Sequence, residues 1–414
     1  MVVICSTREV LEGIDVIGNA CSSSSTLRRV SGIGEPNLRE GKETKEMARY
    51  GDVLSVLKDF RNDLEQRTQE EVEAQFSGGM VAMSAFAARG GVSAFSTPLS
   101  NVHATGVGIR VRNGKIVPDE FVLKVYVFDK ADLGDRTPDL MKAYGGVEVD
   151  VETLPIQQAL AKPAKARVKA STAAAEAAVP AQRQRHRPIV GGLSIAPLNE
   201  FFVGTLGCFL RRIAAGTEQI FALSNNHVLV DTNRLPIGTP IVQPGPEVEP
   251  TKPDDVFAAL SAFIPIQFPA SRLNPVANRF DAAIAVVADL RLIRRGRMFG
   301  INNYTPQLAT ALPGMRVIKS GRTTGVTTGT VTAVDVDRVQ VNYGTRISPR
   351  IATFNDTIEI VGENGPFSAP GDSGSVILDR DTGRPVALLF AGDGRTTTAC
   401  DLGGVCRRFQ ALPV

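Results

Sequence analysis

Apolar residues in this chain follow two rhythms, and the change between them divides it. From Lys45 to about Phe76, Val53, Leu54, Val56, Leu57, Phe60 and Leu64 recur at steps of three and four. That is the period of an α-helix with one buried stripe, and an acidic face follows at Glu70, Glu71 and Glu73. The stripe reads as packing surface for a neighbouring domain or another subunit. Residues 106–112 and 121–128 then read as strands joined through Asn113-Gly114, a hairpin signal. Pro138 to Tyr144 reads as a short helix, and 147–151 as a third strand. Gly106-Val107-Gly108 lacks the strand–turn–helix order of a nucleotide loop. From 188 to 414, short apolar runs alternate with Gly, Pro, Asn and Asp turns, a pattern of many short strands.

Between these stretches the patterning fades. Residues 1–45 are polar, with a serine run at 22–25, and read as weakly ordered. In residues 159–187, Lys162, Lys165, Arg167, Lys169, Arg183, Arg185 and Arg187 stand against one acid, Glu176, with no aromatic residue. The composition predicts a solvated tether. Two other readings stay open, a self-cleavage site and a weak contact with a polyanion. The predicted organisation is a helical, partly disordered amino-terminal region (1–98), a small α+β module (99–158), a linker (159–187) and a β-rich domain (188–414).

Composition narrows the function. A net charge of +3 over 414 residues implies neither a nucleic-acid binder nor an acidic tail. Tryptophan is absent, which argues against aromatic carbohydrate or membrane-interface platforms. No apolar run reaches the roughly 18 residues of a membrane span. The five cysteines, Cys5, Cys21, Cys208, Cys400 and Cys406, are an odd number. Cys400 and Cys406 are near enough in sequence to bridge, but free thiols in a reducing compartment are the simplest reading. Met1-Val2-Val3-Ile4-Cys5-Ser6 is too short for a signal core and lacks a basic start. A cytoplasmic protein is expected. Zinc, calcium and phosphate-loop spacings are all missing, so no metal and no cofactor is expected.

The chemistry concentrates in three places. Pro370-Gly371-Asp372-Ser373-Gly374-Ser375 sets a serine on a tight glycine turn leading into Val376-Ile377-Leu378. One of three histidines, His227, sits in Leu223-Ser224-Asn225-Asn226-His227-Val228, and Asp281 opens the apolar run 282–287. A serine hydroxyl needs an adjacent base, an imidazole suits neutral pH, and a buried carboxylate orients the imidazole. Gly371 and Gly374 permit the sharp turn, and the Gly371 and Ser373 amides would face a developing oxyanion. His103 lies in a polar stretch and His186 between two arginines, and both read as solvated.

The order His, Asp, Ser resembles the trypsin/chymotrypsin-like serine peptidases, with 54 residues from His227 to Asp281 and 92 from Asp281 to Ser373. The block 319–331 is similar to the hairpin that starts the second barrel in bacterial secreted members. Gly321-Arg322-Thr323-Thr324-Gly325, Val361-Gly362-Glu363-Asn364 and Gly371-Asp372-Ser373-Gly374-Ser375 together resemble the plant NARROW LEAF 1 proteases and their bacterial relatives. The resemblance covers about 188–414. It implies two Greek-key barrels with the triad at their interface, in a mostly β protein.

It also implies roles for individual residues. Ser373 is the nucleophile, His227 the base, Asp281 its orienter, and the protein a serine endopeptidase acting on a protein or peptide. Phe367 stands where tryptic enzymes carry a pocket acid, which favours small or apolar side chains before the scissile bond. Phe390-Ala391-Gly392 looks like the strand that pairs with substrate, and the 321–325 block reads as a structural hairpin. Val228 replaces a cysteine that is disulfide-bonded in many secreted relatives. Ile189-Val190-Gly191-Gly192 looks like the activated amino terminus of a zymogen, whose amine would pair with Asp372. Pro188 argues against cleavage there, so a first strand is expected instead. Two other functions remain open: an intact-triad scaffold working through homo-oligomerisation and partner binding, and an esterase using the same triad.

Overall fold

The computed structural model describes residues 48–76, 102–112, 115–128, 130, 142–159, 162–163, 179–214, 216–246, 252–269, 276–345 and 347–414. The chain is mostly β, and six of its strands close into a barrel. Around that barrel, Pro385–Gly392 pairs with Val376–Asp379, which pairs with Arg316–Gly321, and that with Gly325–Asp337. Gly325–Asp337 pairs with Thr357–Gly362, which pairs with Thr396–Asp401, and this last strand returns to Pro385–Gly392. Every pairing is antiparallel, and the ends of Gly325–Asp337 and Pro385–Gly392 run past the ring to pair with strands outside it. Val317, Val331, Ile360, Phe367, Ile377 and Leu389 fill one core inside this region.

A second, nine-stranded sheet holds the first half of the β-rich region. Its order is Leu412–Pro413, Phe209–Ala214, Thr217–Ser224, Ala283–Val287, Val256–Phe263, Pro240–Val242, Ser194–Pro197, Phe202–Thr205 and Lys162–Pro163. Ile195, Phe209, Ile220, Ala222, Ile241, Leu260 and Ala285 form its core, with Val228 and Leu229 of a one-turn helix packed among them.

The amino-terminal elements join the barrel sheet directly. Val102–Arg112 pairs antiparallel with Gly325–Asp337 on one side and with Lys115–Val127 on the other. Val147–Thr153 lies parallel to Lys115–Val127. The helix Tyr50–Phe76 covers these strands with Val53, Leu57, Phe60 and Leu64, packed on Val107, Leu123, Val125 and Val149. Leu54 stands outside the stripe and is exposed, because one residue rotates a helix by about 100°. Asn113-Gly114 and residues 138–141 of the expected short helix lie outside the described residues, whereas Ala143–Tyr144 is a short strand pairing with 147–148.

Several expectations are corrected. The described parts of 159–187 are not a free tether. Gln157–Ala159 is a strand between Val339–Asn342 and Pro385–Gly392, and Lys162–Pro163 pairs with Phe202–Thr205. Arg183 donates to the Arg322 carbonyl, Arg185 pairs with Asp255 at 2.9 Å, and Arg187 donates to Gln243 Oε1 at 2.7 Å. Their guanidinium donors find fixed acceptors, which a repulsive basic run in isolation does not show. His103 is buried and stacked on Phe128 with ring centroids 4.0 Å apart. Burial, opposed by the backbone at Leu154 and Val127 and aided by the charge of Arg338, brings its pKa down to about 4. His186 is half-buried, its Nε2 2.7 Å from the Ala181 carbonyl and its ring edge-on to Phe299.

Candidate active site

His227 is placed by its two neighbours. The strand Thr217–Ser224 ends at Asn225, in extended backbone, and one helical turn, Asn226–Leu229, carries the imidazole. Asn225 Nδ2 donates to the Asp281 carbonyl at 2.7 Å, and Asn226 Nδ2 donates to the Ile264 carbonyl at 2.8 Å. These side chains satisfy backbone carbonyls at the turn, and His227 is thereby held beside the residue that opens the strand Ala283–Val287.

Asp281 is fully buried, and its carboxylate is surrounded by donors. Oδ1 accepts from the His227 amide at 3.2 Å. Oδ2 lies 2.5 Å from His227 Nδ1 and accepts from the Tyr343 hydroxyl at 2.8 Å. Burial, then the charge of Asp281, raises the Tyr343 phenol well above its usual range, so the phenol remains a donor. Tyr343 was not singled out in the sequence; it follows the alternating strand Val339–Asn342, and no local signal ties it to Asp281. His227 Nε2, the nitrogen facing away from Asp281, has no hydrogen-bond partner among the described residues.

Ser373 sits on the loop entering Val376–Asp379. The backbone there is left-handed at Gly371 (φ 105°) and Gly374 (φ 90°). A Cβ would lie 2.4 Å from Thr323 Oγ1 at the first and 2.1 Å from Ser224 Oγ at the second, so both need glycine. The carbonyls on either side are held: Thr323 Oγ1 donates to Pro370 O at 2.9 Å and the Ser375 amide to Asp372 O at 3.0 Å. A trans peptide points its N–H opposite to its C=O, so these bonds also orient the Gly371 and Ser373 amides. Thr205 reaches across from the other sheet, its amide donating to Ser373 O at 2.8 Å and its hydroxyl to Gly371 O at 3.0 Å. Gly204 lies between the two parts of the site: a Cβ there would be 2.5 Å from Val228 methyls and 3.0 Å from Ser373 O. Ser373 Oγ donates to the Phe390 carbonyl at 3.3 Å.

The hairpin block supports this loop through Asp372. Its carboxylate accepts from the Thr323 amide at 2.8 Å, the Thr324 amide at 3.2 Å, Thr324 Oγ1 at 2.6 Å and the Ala369 amide at 3.0 Å. Lys319 Nζ is 3.4 Å away, and both side chains are fully buried. Burial lowers the Lys319 pKa, and Asp372 opposes the shift. Asp372 thus has an internal cation for a partner. Ile189 is the buried start of Ile189–Gly191, paired with Ile293–Met298.

Of the residues expected at the substrate site, Phe367 lies in a core rather than at an open pocket, whereas Phe390–Gly392 contributes backbone. Phe367 is buried in the core with Val317, Val331 and Leu389, with Lys319 Nζ 5.7 Å from its ring centroid. Phe390 turns its ring inward against Phe354, centroids 4.7 Å apart, and offers the site only its carbonyl. Both are large apolar side chains that the alternation of a buried strand or the barrel interior draws out of solvent. Ala391 and Gly392 pair with Ala159 and Gln158. Cys208, Cys400 and Cys406 are buried free thiols, and burial pushes Cys406 up to about 12. Among the described residues, no three His, Cys, Asp or Glu side chains are grouped to hold a metal, and no helix is long and apolar enough to cross a membrane.

Residues 271–400 match the family model described as the Nal1 C-terminal domain, a range holding Asp281 and Ser373 but not His227. Over 338 residues the chain is 27% identical to Protein NARROW LEAF 1 of Oryza sativa subsp. japonica, covering 72% of this chain. The chain spans about half (53%) of that relative's length. Similar solved structures are trypsin/chymotrypsin-like serine proteases. They include Cellulomonas bogoriensis chymotrypsin, at 16% identity and TM-score 0.37, covering 55% of this chain and 98% of the other. A glutamic acid specific serine protease aligns at 19% identity and TM-score 0.37, covering 55% of this chain and 100% of its own.

Proposed function

We propose that the protein is a serine endopeptidase that works through an acyl-enzyme. The observation that carries this reading is the buried Asp281 carboxylate holding His227 Nδ1 at 2.5 Å and Tyr343 at 2.8 Å, with the other imidazole nitrogen unpartnered among the described residues. A buried carboxylate bound this way keeps Nε2 as the proton acceptor. Ser373 Oγ attacks the peptide carbonyl, His227 Nε2 takes its proton, and the Gly371 and Ser373 amides stabilise the oxyanion. The protonated imidazole then gives that proton to the leaving amine, and water repeats the sequence on the acyl-serine, returning the free hydroxyl.

The Ser373–Phe390 hydrogen bond has to be exchanged for one to His227 before the first step. That same bond favours a second reading, a scaffold whose triad stays unused. Labelling with a fluorophosphonate separates them. The full-length protein is expected to label, and Ser373→Ala is expected to lose labelling and, on the order of a million-fold, turnover. Full-length protein that folds but does not label moves the assignment to the scaffold.

A further inference from the structure

Two described segments of the chain, 157–159 and 162–163, pair with strands beside its candidate nucleophile. Gln157–Ala159 runs antiparallel to Pro385–Gly392, with Ala159 opposite Ala391 and Gln158 opposite Gly392. Ala391 directly follows Phe390, whose carbonyl accepts from Ser373 Oγ. Lys162–Pro163 runs antiparallel to Phe202–Thr205, with Lys162 opposite Val203 and Pro163 opposite Phe202. Two residues beyond Val203, the Thr205 amide holds the Ser373 carbonyl. The two pairings therefore flank Ser373, one on each sheet. Ala159 and Lys162 are three steps of chain apart, a reach of at most about 11 Å.

Strand addition is how extended peptides are bound, since backbone hydrogen bonds need no particular side chains. The edge at Ala391 and Gly392 is open to such a partner because Val376–Asp379 pairs only as far as Leu388. Gln158 is anchored further, its Nε2 donating to the carbonyls of Asn342 at 2.8 Å and Gly344 at 3.2 Å. Gln157 is buried and donates to Pro155 O at 3.0 Å.

We propose that Gln157–Ala159 and Lys162–Pro163 occupy the two halves of the peptide-binding cleft around Ser373, so that the chain's own segment is bound where another peptide would bind. Occupancy itself is independent of catalysis; its consequence, competition with peptide substrates, rests on the reading of Ser373 as a nucleophile.

The test uses the full chain in a Ser373→Ala background, where no cleavage intervenes. Gln158→Pro removes an amide donor from the ladder and disfavours the inserted strand. A fluorescent synthetic peptide with the sequence of residues 155–165 is expected to bind Ser373→Ala/Gln158→Pro at least about tenfold more tightly than Ser373→Ala. Equal affinity for the two overturns the proposal. Should Gln158→Pro fail to fold, amide hydrogen exchange on Ser373→Ala decides. Protection at Gln158 and Ala159 that is lost as excess peptide is added supports occupancy, and exchange at the free-peptide rate overturns it. Fluorophosphonate labelling of the Ser373 chain is scored separately, so a dead triad and an empty cleft give different results.

Discussion

Tyr343→Phe isolates one hydrogen bond of the site. The change deletes the hydroxyl that donates to Asp281 Oδ2 at 2.8 Å. It keeps the ring and its contacts: His227 at 5.7 Å, Phe268 edge-on at 5.8 Å and Phe354 at 6.2 Å between centroids. A hydrogen bond to a charged group contributes about 1.5–3 kcal/mol. Asp281 is fully buried, so water does not replace the lost donor. The His227 amide and Nδ1 remain as donors to the carboxylate. Their geometry loosens when the carboxylate is free to rotate, and the loss falls hardest when the imidazole becomes charged. If the whole hydrogen-bond energy appears in the transition state, the rate falls by roughly 10- to 150-fold at 1.36 kcal/mol per decade. The assay is the second-order rate of fluorophosphonate labelling, with thermal unfolding to confirm the fold. A folded Tyr343→Phe that labels within about twofold of the parent refutes the role assigned to the hydroxyl.

Two further outcomes follow from buried charges. Lys319→Met removes one of the two cations acting on the buried Asp372 carboxylate, Arg322 being the other, so the loss is expected to approach the roughly 3–5 kcal/mol of a broken buried pair. Chemical denaturation reads this, and a loss below about 1 kcal/mol shows that Arg322 and the four hydrogen bonds on Asp372 suffice without Lys319. His103 provides a pH dependence. Its folded pKa of about 4 lies below the ordinary 6.5. The unfolded chain therefore takes up the proton first, and stability is retained above pH 6.5 and lost as pH falls toward 4. The full effect is about 3 kcal/mol. Denaturation midpoints between pH 7 and 4.5 are expected to fall less steeply in His103→Phe than in the parent, and parallel curves refute the assignment.

Local features of the chain were readable without a structure. The helix stripe Val53, Leu57, Phe60 and Leu64 follows from helical period alone. The strands read at 106–112 and 121–128 follow from β-rich apolar content, and the structure extends them back to Val102 and Lys115. Gly371 and Gly374 marked a turn with a serine at its tip, because left-handed backbone restricts which residues stand there. The order of His227, Asp281 and Ser373 was likewise legible, since each stands at a break in an apolar run.

What depended on tertiary structure is what joins distant stretches. Tyr343 meets Asp281, Lys319 meets Asp372, and Thr205 meets the loop at Gly371 and Ser373. His103 is buried only because its strand is covered by other elements, while Ser100, Asn101 and Thr105 near it look polar. Phe367 was placed at a pocket by its position relative to Ser373, but barrel geometry turned its ring into a core. Gln157–Ala159 offered too short a run to register as a strand, and the arginines after it suggested a tether. Alternation reports which face of a strand is buried. It is silent on which edge that strand joins, because backbone pairing uses the same N–H and C=O groups in every residue and is chosen only when the whole chain packs.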